Sequence, residues 1–312
     1  MKADRGSHEG HDHQAVDPNA DKRRLGVVLA LILVFMSGEV VVGIMAHSLA
    51  LLSDAGHMLT DAGAIGLSLV AVNLAARRPE GGLTFGLKRA EILSALVNGA
   101  TLLVLAAFVV YEAIHRLVSP PRVAGLPMLA VAVAGIGVNL VATWQLARAN
   151  RRSLNIRGSY QHILTDLYAF IGTAVAAGLI LATGFFRADA LASLAVAALM
   201  FHASYQLLHD AGRILLEAAP VGMEPREIGQ SLVGHPCVTN VHDLHVWEIT
   251  SGFPALSAHV LVDPGDDCHA IRRSLEAVLQ ERFAITHTTL QVDHARAGLL
   301  RIQPLRTSRR DR

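Results

Sequence analysis

The sequence predicts an α-helical membrane protein with six transmembrane helices followed by a small cytoplasmic α+β domain whose elements run α, β, β, α, β. Three observations predict it. Of 312 residues, 52% are hydrophobic and only 17% charged, and the mean hydropathy is +0.40, which is the composition of a multi-spanning membrane protein. Six apolar runs of about 20 residues, the length that crosses a hydrocarbon core, fall at 25–45, 50–75, 92–114, 126–147, 160–183 and 188–208. After Pro220 the pattern changes to that of a small polar unit with alternating strands.

Charge orders the spans. Lys22, Arg23 and Arg24 precede the first; Arg77, Arg78, Lys88 and Arg89 separate the second from the third; Arg148, Arg151, Arg152 and Arg157 separate the fourth from the fifth. The opposite loops hold only Arg116, Arg122 and Arg187. Excess Lys and Arg marks the cytoplasmic side, so both termini are expected there. Residues 1–24 are polar and lack the apolar core of a cleaved signal, so the first run is expected to be a permanent span. A net charge of +1 offers no basic field for nucleic acid. Two cysteines without framework spacing, Cys237 and Cys268, fit a reducing compartment.

In the C-terminal part, "MEPREIGQSL" reads as a helix, and "VTNVHDLHVWEI" and "ALSAHVLV" alternate as strands. Pro264 and Gly265 then break the chain before the helical "DCHAIRRSLEAVLQERF" and a last strand, "HTTLQVDH". The expected divisions are a polar, His-containing tail at 1–24, a transmembrane domain at 25–215, a cytoplasmic domain at 216–296 and a basic tail at 297–312.

The second run carries Asp54, His57 and Asp61, although an aspartate at the centre of a span costs roughly 2.5 to 3.5 kcal/mol on insertion scales. His57 and Asp61 are spaced i, i+4, one turn apart on one helix face. The fifth run repeats the spacing with His162 and Asp166. Two such pairs on two helices supply two imidazoles and two carboxylates, a tetrahedral ligand set for Zn2+. The competing reading is helix-to-helix hydrogen bonding, which explains one His in one span better than two matched pairs. Asp54 lies seven residues before Asp61, on nearly the same face, where a gating or a capping role is expected. Glu39 in the first span is a candidate for the water or proton path, whereas Asn98 and Asn139 fit interhelical hydrogen bonds.

Several segments together resemble the cation diffusion facilitator family of zinc and divalent-metal exporters. They are "GEVVVGIMAHSLALLSDAGHMLTD" (38–61), "FGLKRAEILSALVNG" (85–99), "GVNLVATW" (137–144), "HILTD" (162–166), "VHDLHVW" (241–247) and "LSAHV" (256–260). The resemblance runs from about residue 26 to 293, in family order. It implies six transmembrane helices, a metallochaperone-like cytoplasmic domain, a homodimer and proton-driven export, with no enzymatic activity. Carried over by position, the transport site is His57, Asp61, His162 and Asp166. His at the head of both pairs resembles the zinc-preferring members, with Cd2+ and Co2+ as further candidates. His242, His259 and Asp293 match a metal site of the cytoplasmic domain, with His287 as an additional candidate, so Zn2+ is expected both as cargo and as a structural or regulatory ion. Surface histidines on a small sheet are the plain alternative. His8, His11 and His13 form a short N-terminal cluster able to bind metal weakly. Arg89 and Glu91 read as an interfacial charge network.

A charge argument stands beside the resemblance. Two ionised aspartates with two neutral histidines carry two negative charges, which one divalent cation or two protons cancel equally well. Antiport of metal against protons around a midplane site is therefore expected, in the inner (plasma) membrane of a bacterium. An intramembrane metalloenzyme, a sensor or a channel could use the same ligands. Against the enzyme, there is no His-Glu-x-x-His and no open coordination position for water.

Overall fold

The computed structural model describes residues 18–45, 49–120, 125–149 and 153–295; within them the side chains of 18–20, 39, 42, 43, 45, 49–57, 60 and 127 fall outside the description. The chain divides into two compact units, the first ending at Leu215 and the second beginning at Leu216.

Among the described residues the first unit holds six long helices: α1 Pro18–Met45, α2 Leu49–Ala75, α3 Ala90–Val118, α4 Gly125–Ala147, α5 Leu154–Thr183 and α6 Arg187–Leu215. Among the described residues, four stretches are long and apolar enough to cross a membrane: Ala90–Val118, Met128–Ala147, Leu154–Thr183 and Arg187–Leu215. At 1.5 Å per residue the shortest, of 20 residues, still spans about 30 Å. Their outward faces are apolar, with Val104, Phe108 and Val133 exposed, as a surface solvated by acyl chains requires.

α1 packs on α2, α4 on α5, and α3 on α6, with α5 also against α6. One core joins Leu25, Val28 and Ile32 of α1 to Ile65 and Val72 of α2, Leu146 of α4 and Ile163 of α5. A second joins Ile92 and Ala95 of α3 to Leu207, Ala211 and Ile214 of α6. Close α3–α6 approach uses Gly99, whose added Cβ would meet the Leu208 side chain at 3.1 Å, and whose carbonyl accepts from Ser204 Oγ at 2.8 Å. Small residues and hydroxyls at helix contacts are the usual device where lipid removes the hydrophobic drive to associate.

Helix α5 begins at Leu154, six residues before the run read from hydropathy, because Ser153 caps it: its Oγ accepts from Ile156 N and donates to Glu91 Oε2 at 3.1 Å. Arg157 binds Asp210 of α6, and Arg24 of α1 donates to the Arg148 carbonyl at the end of α4. These ties gather the starts of α1, α3 and α5 and the ends of α4 and α6 at one end of the bundle. At the other end Arg116 of α3 pairs with Asp189 of α6 at 3.2 Å.

The second unit runs α7 Pro225–Val233, β1 Val238–Thr250, β2 Phe253–Val262, α8 Cys268–Phe283 and β3 His287–His294. The sheet order is β1-β2-β3, antiparallel between β1 and β2 and parallel between β2 and β3. The parallel pair needs the α8 crossover. Asp267 caps α8 by accepting from His269 N at 2.9 Å and Ala270 N at 3.1 Å, and those bonds hold its carboxyl below the ordinary value. Ile271, Leu275 and Leu279 face Leu256, Ala258 and Val260 of β2. Leu275→Ala is expected to destabilise this unit by about 2 to 5 kcal/mol, read as faster amide exchange in β1 to β3 with protection in α3 and α6 unchanged.

Candidate metal centre

α5 places His162 and Asp166 on one face by their i, i+4 spacing, and α2 presents Asp61 to them from across the helix pair. His162 Nε2 lies 2.8 Å from Asp61 Oδ1 and 3.9 Å from Asp166 Oδ2. One donor atom from each of the three residues lies within 4.8 Å of the others, the one such group among the described residues. Ligands about 2.0 to 2.1 Å from a tetrahedral ion sit about 3.3 Å from one another, so these separations bracket a bound ion's coordination edge. Asp61 is 4% exposed and His162 5%, so both are removed from bulk water.

The 2.8 Å separation of His162 Nε2 and Asp61 Oδ1 is that of a hydrogen bond, in which a proton carried by either atom would lie between the two. A metal ion bound by the same two atoms requires that proton to leave. Metal and proton thus compete for one position.

Asp61 and Asp166 also line a cavity of about 120 Å³ with Met58, Asn139, Phe170 and Thr173. The Phe170 ring sits where any side chain at Gly135 would intrude, an added Cβ meeting it at 2.4 Å. On α5 the cavity extends from Asp166 toward Thr183.

Of the other predicted positions, Glu39 lies on α1, and Asp54 and His57 on α2, and their side chains lie outside the described residues. Position 57 stands one turn before Asp61 on the α2 backbone. His8, His11 and His13 also lie outside the described residues. Asn98 makes the expected interhelical bond, donating to Ser68 Oγ of α2 at 3.0 Å. For Asn139 the bond found among the described residues stays within its own helix, Nδ2 donating to Gly135 O at 3.1 Å. Glu91 takes its Ser153 partner at the bundle end. Ser68, Asn155 and Ser159 escaped the sequence reading. Asn155 and Ser159 precede residue 160, where hydropathy starts the span, so they read as loop.

In the second unit His242 and His259 are cross-strand partners, their rings edge-to-face with centroids 5.3 Å apart. Strict alternation puts His242 and His245 on opposite faces, and the structure corrects this. The register slips between His242 and His245, so that His242 pairs with His259 and His245 with Ser257. A bulge inserts one residue, which brings both histidines to one face. Asp243, at φ 53°, sits in the bulge, where its Oδ1 accepts from His245 Nε2 at 2.9 Å and its Oδ2 lies 3.9 Å from His259 Nε2. Asp293 stands further along: it pairs with Leu261 and accepts from Gln291 Nε2 at 2.8 Å. His287 lies beside the Phe253 ring, 5.8 Å between centroids. The structure thus joins His242 and His259 and puts Asp243 beside them, with Asp293 two residues on from the strand partner of His259.

A helical bundle with carboxylates and an imidazole converging inside it defines a membrane protein that handles cations. Sequence comparison sharpens that class. Residues 25–216 match the model of the cation efflux transmembrane domain and residues 220–295 that of the cation efflux protein cytoplasmic domain. The chain belongs to this family, the cation diffusion facilitators, whose members are transporters and not enzymes. It is 37% identical over 310 residues to the cadmium, cobalt and zinc/H(+)-K(+) antiporter of Bacillus subtilis, covering 97% of this chain and 98% of that one. It is 36% identical over 288 residues to the zinc transporter ZitB of Pectobacterium atrosepticum, 92% of this chain and 89% of that one. The metal-bound C-terminal domain of the CzcD transporter from Cupriavidus metallidurans shares 32% identity over 23% of this chain and 99% of its own, with a TM-score of 0.22.

The hydrogen bond from His245, opposed by partial burial, holds the Asp243 carboxyl below its ordinary value. A lowered folded-state value means that this pair's contribution is present above the unfolded carboxylate range and is lost as pH falls through the lowered value. His245→Ala is expected to move the Asp243 titration back up, as followed by carboxyl NMR of the full chain in detergent.

Proposed function

We propose that this protein exports divalent metal, Zn2+ above all, from the cytoplasm in exchange for protons, with His57, Asp61, His162 and Asp166 as its four ligands. The observation that carries this is the buried Asp61–His162–Asp166 group, drawn from two helices, with two of its ligating atoms at the 2.8 Å separation of a hydrogen bond. The names of the relatives, antiporter and zinc transporter, support the same cargo class, and Cd2+ and Co2+ are secondary cargo.

Two ionised carboxylates and neutral imidazoles hold a divalent cation without net charge in the low-dielectric interior. Metal arriving from the cytoplasm displaces the proton shared by His162 and Asp61. On the outer, more acidic side, protons reoccupy the ligands and metal leaves through the cavity toward Thr183. Imidazole nitrogen favours zinc over oxygen-preferring Mg2+ and Mn2+.

In this reading all six helices span the membrane, both termini are cytoplasmic, and the chain resides in the bacterial plasma membrane. Residues 25–215 carry the transport path and 216–296 the cytoplasmic unit, flanked by tails at 1–24 and 297–312. The cytoplasmic unit pairs with a second copy, and His242 and His259, with Asp293 or Asp243 as carboxylate, bind regulatory metal on the sheet face that carries the two histidines. Glu39 and Asp54 serve the water or proton path.

Reconstituted vesicles with an imposed pH gradient test the coupling. Saturable zinc flux should follow the gradient and stop when it is collapsed. Asp61→Ala and Asp166→Ala should each lower flux by at least about 100-fold, beyond the 10 to 100-fold typical of losing an outer-shell partner. Flux indifferent to the gradient would mean a passive channel, and unchanged flux in both variants would put the site elsewhere.

A further inference from the structure

Between the metal centre and the bundle end where α6 runs out at Leu215, three helices meet around a single serine. Ser68 Oγ of α2 accepts from Asn98 Nδ2 of α3 at 3.0 Å and from Ser159 Oγ of α5 at 2.8 Å. Its own hydroxyl reaches Ala64 O at 3.1 Å, and its backbone carbonyl accepts from Asn155 Nδ2 at 2.9 Å. All four residues are buried: Ser68 and Asn155 at 0% exposure, Ser159 at 2% and Asn98 at 6%. Ser68 lies seven residues beyond Asp61 and Asn155 seven before His162, so the knot sits within about 10 Å of the centre along both helix axes.

Three features mark this knot as more than helix glue. The first is placement. The centre communicates with a cavity on the Thr183 side, while on the opposite side the knot lies across the helices that supply the ligands. The second is composition. A permanent seal needs only apolar side chains, whereas a knot of neutral hydroxyls and amides is satisfied when closed and can be hydrated when open, without burying a charge in either state. The third is spare capacity. Asn155 Oδ1 and Ser94 Oγ, one turn from Asn98 on α3, are buried and make no hydrogen bond among the described residues. Buried polar atoms are ordinarily paired, and a structural cluster has no use for two unfilled positions.

We propose that Ser68, Asn98, Asn155 and Ser159 form the closed cytoplasmic gate of the transport path, and that when it parts the same oxygens line the way in for a hydrated divalent ion. This rests on the transport reading above. Ser68 is the keystone, because it alone bonds to α3 and twice to α5. Opening therefore separates α2 from α3 and α5 by breaking two side-chain bonds and one bond to its carbonyl. These are positioning residues for the ion's entry and do not ligate it in the site.

The test uses the full chain in vesicles with Cys237→Ser and Cys268→Ser, plus Ile65→Cys as a buried reporter between the knot and Asp61, and a membrane-impermeant maleimide applied from each side. With Ser68 intact, labelling from the cytoplasmic-domain side should be slow. Ser68→Ala should speed it about fivefold to tenfold, the shift in open fraction expected from losing two intramembrane hydrogen bonds of ordinary strength. Ser68→Thr, which keeps the hydroxyl, should leave it slow. Asn98→Ala is the second variant, expected to act in the same direction. The gate is overturned if neither alanine variant changes the rate, if Ser68→Thr speeds labelling as much as Ser68→Ala, or if Ser68→Ala speeds labelling from the opposite side by the same factor. Labelling needs no metal, so zinc flux in the same vesicles keeps the readings apart: absent flux with intact gating counts against the transport reading alone.

Discussion

The constraint on which everything else depends is the contact of an imidazole with carboxylates inside an apolar bundle. Asp61 and His162 come from different helices and meet at 2.8 Å with almost no exposure. In that setting an unpaired charge is prohibitive, and a proton or a metal ion is the natural occupant of the space between them. The bundle supplies the confinement: Ile65 of α2 and Ile163 of α5 pack in the same core, so the two ligand-bearing helices are held in register near the ligands. A carboxylate on α2 and a His–Asp pair on α5 can form one site only because that packing is dense.

The two ends of the first unit are built differently. Toward Leu215 the helices are tied by ion pairs and a buried polar knot, including Arg157 to Asp210, Ser153 to Glu91 and the bonds around Ser68. Toward Thr183 the centre opens into a cavity lined by Asn139, Phe170 and Thr173. A carrier that exposes its site to one side at a time needs this asymmetry, and neutral hydrogen bonds are suited to reversing it because they can be exchanged for bonds to water at little net cost.

Much of this was legible from residue spacing alone. The i, i+4 pairs, His57 with Asp61 and His162 with Asp166, stand out because apolar runs make any titratable residue conspicuous; Asp61, His162 and Asp166 meet in the structure. Hydropathy failed at the start of α5, where Asn155 and Ser159 dilute the apolar signal. It is the Ser153 cap and the partners on α2 that make this stretch helix and interior. Serine and asparagine carry no periodic signature of their own, so the knot around Ser68 had no sequence signal beyond Asn98. In the second unit the order of helices and strands followed from alternation and from the Pro264–Gly265 break. The face of His245 did not, because one bulge residue inverts every later assignment. The same inversion put Asp243 beside His259, a placement that strict alternation cannot reach.

Direct binding of one divalent ion to His162 and its carboxylate neighbours inside the bundle is what the proposed transport requires. Zinc K-edge X-ray absorption of the metal-loaded chain, with His242 and His259 replaced to silence the second unit, addresses it most directly. The account predicts a four-coordinate nitrogen and oxygen shell at about 2.0 to 2.1 Å with imidazole scattering that weakens in His162→Ala. A first shell identical with and without His162 would contradict it.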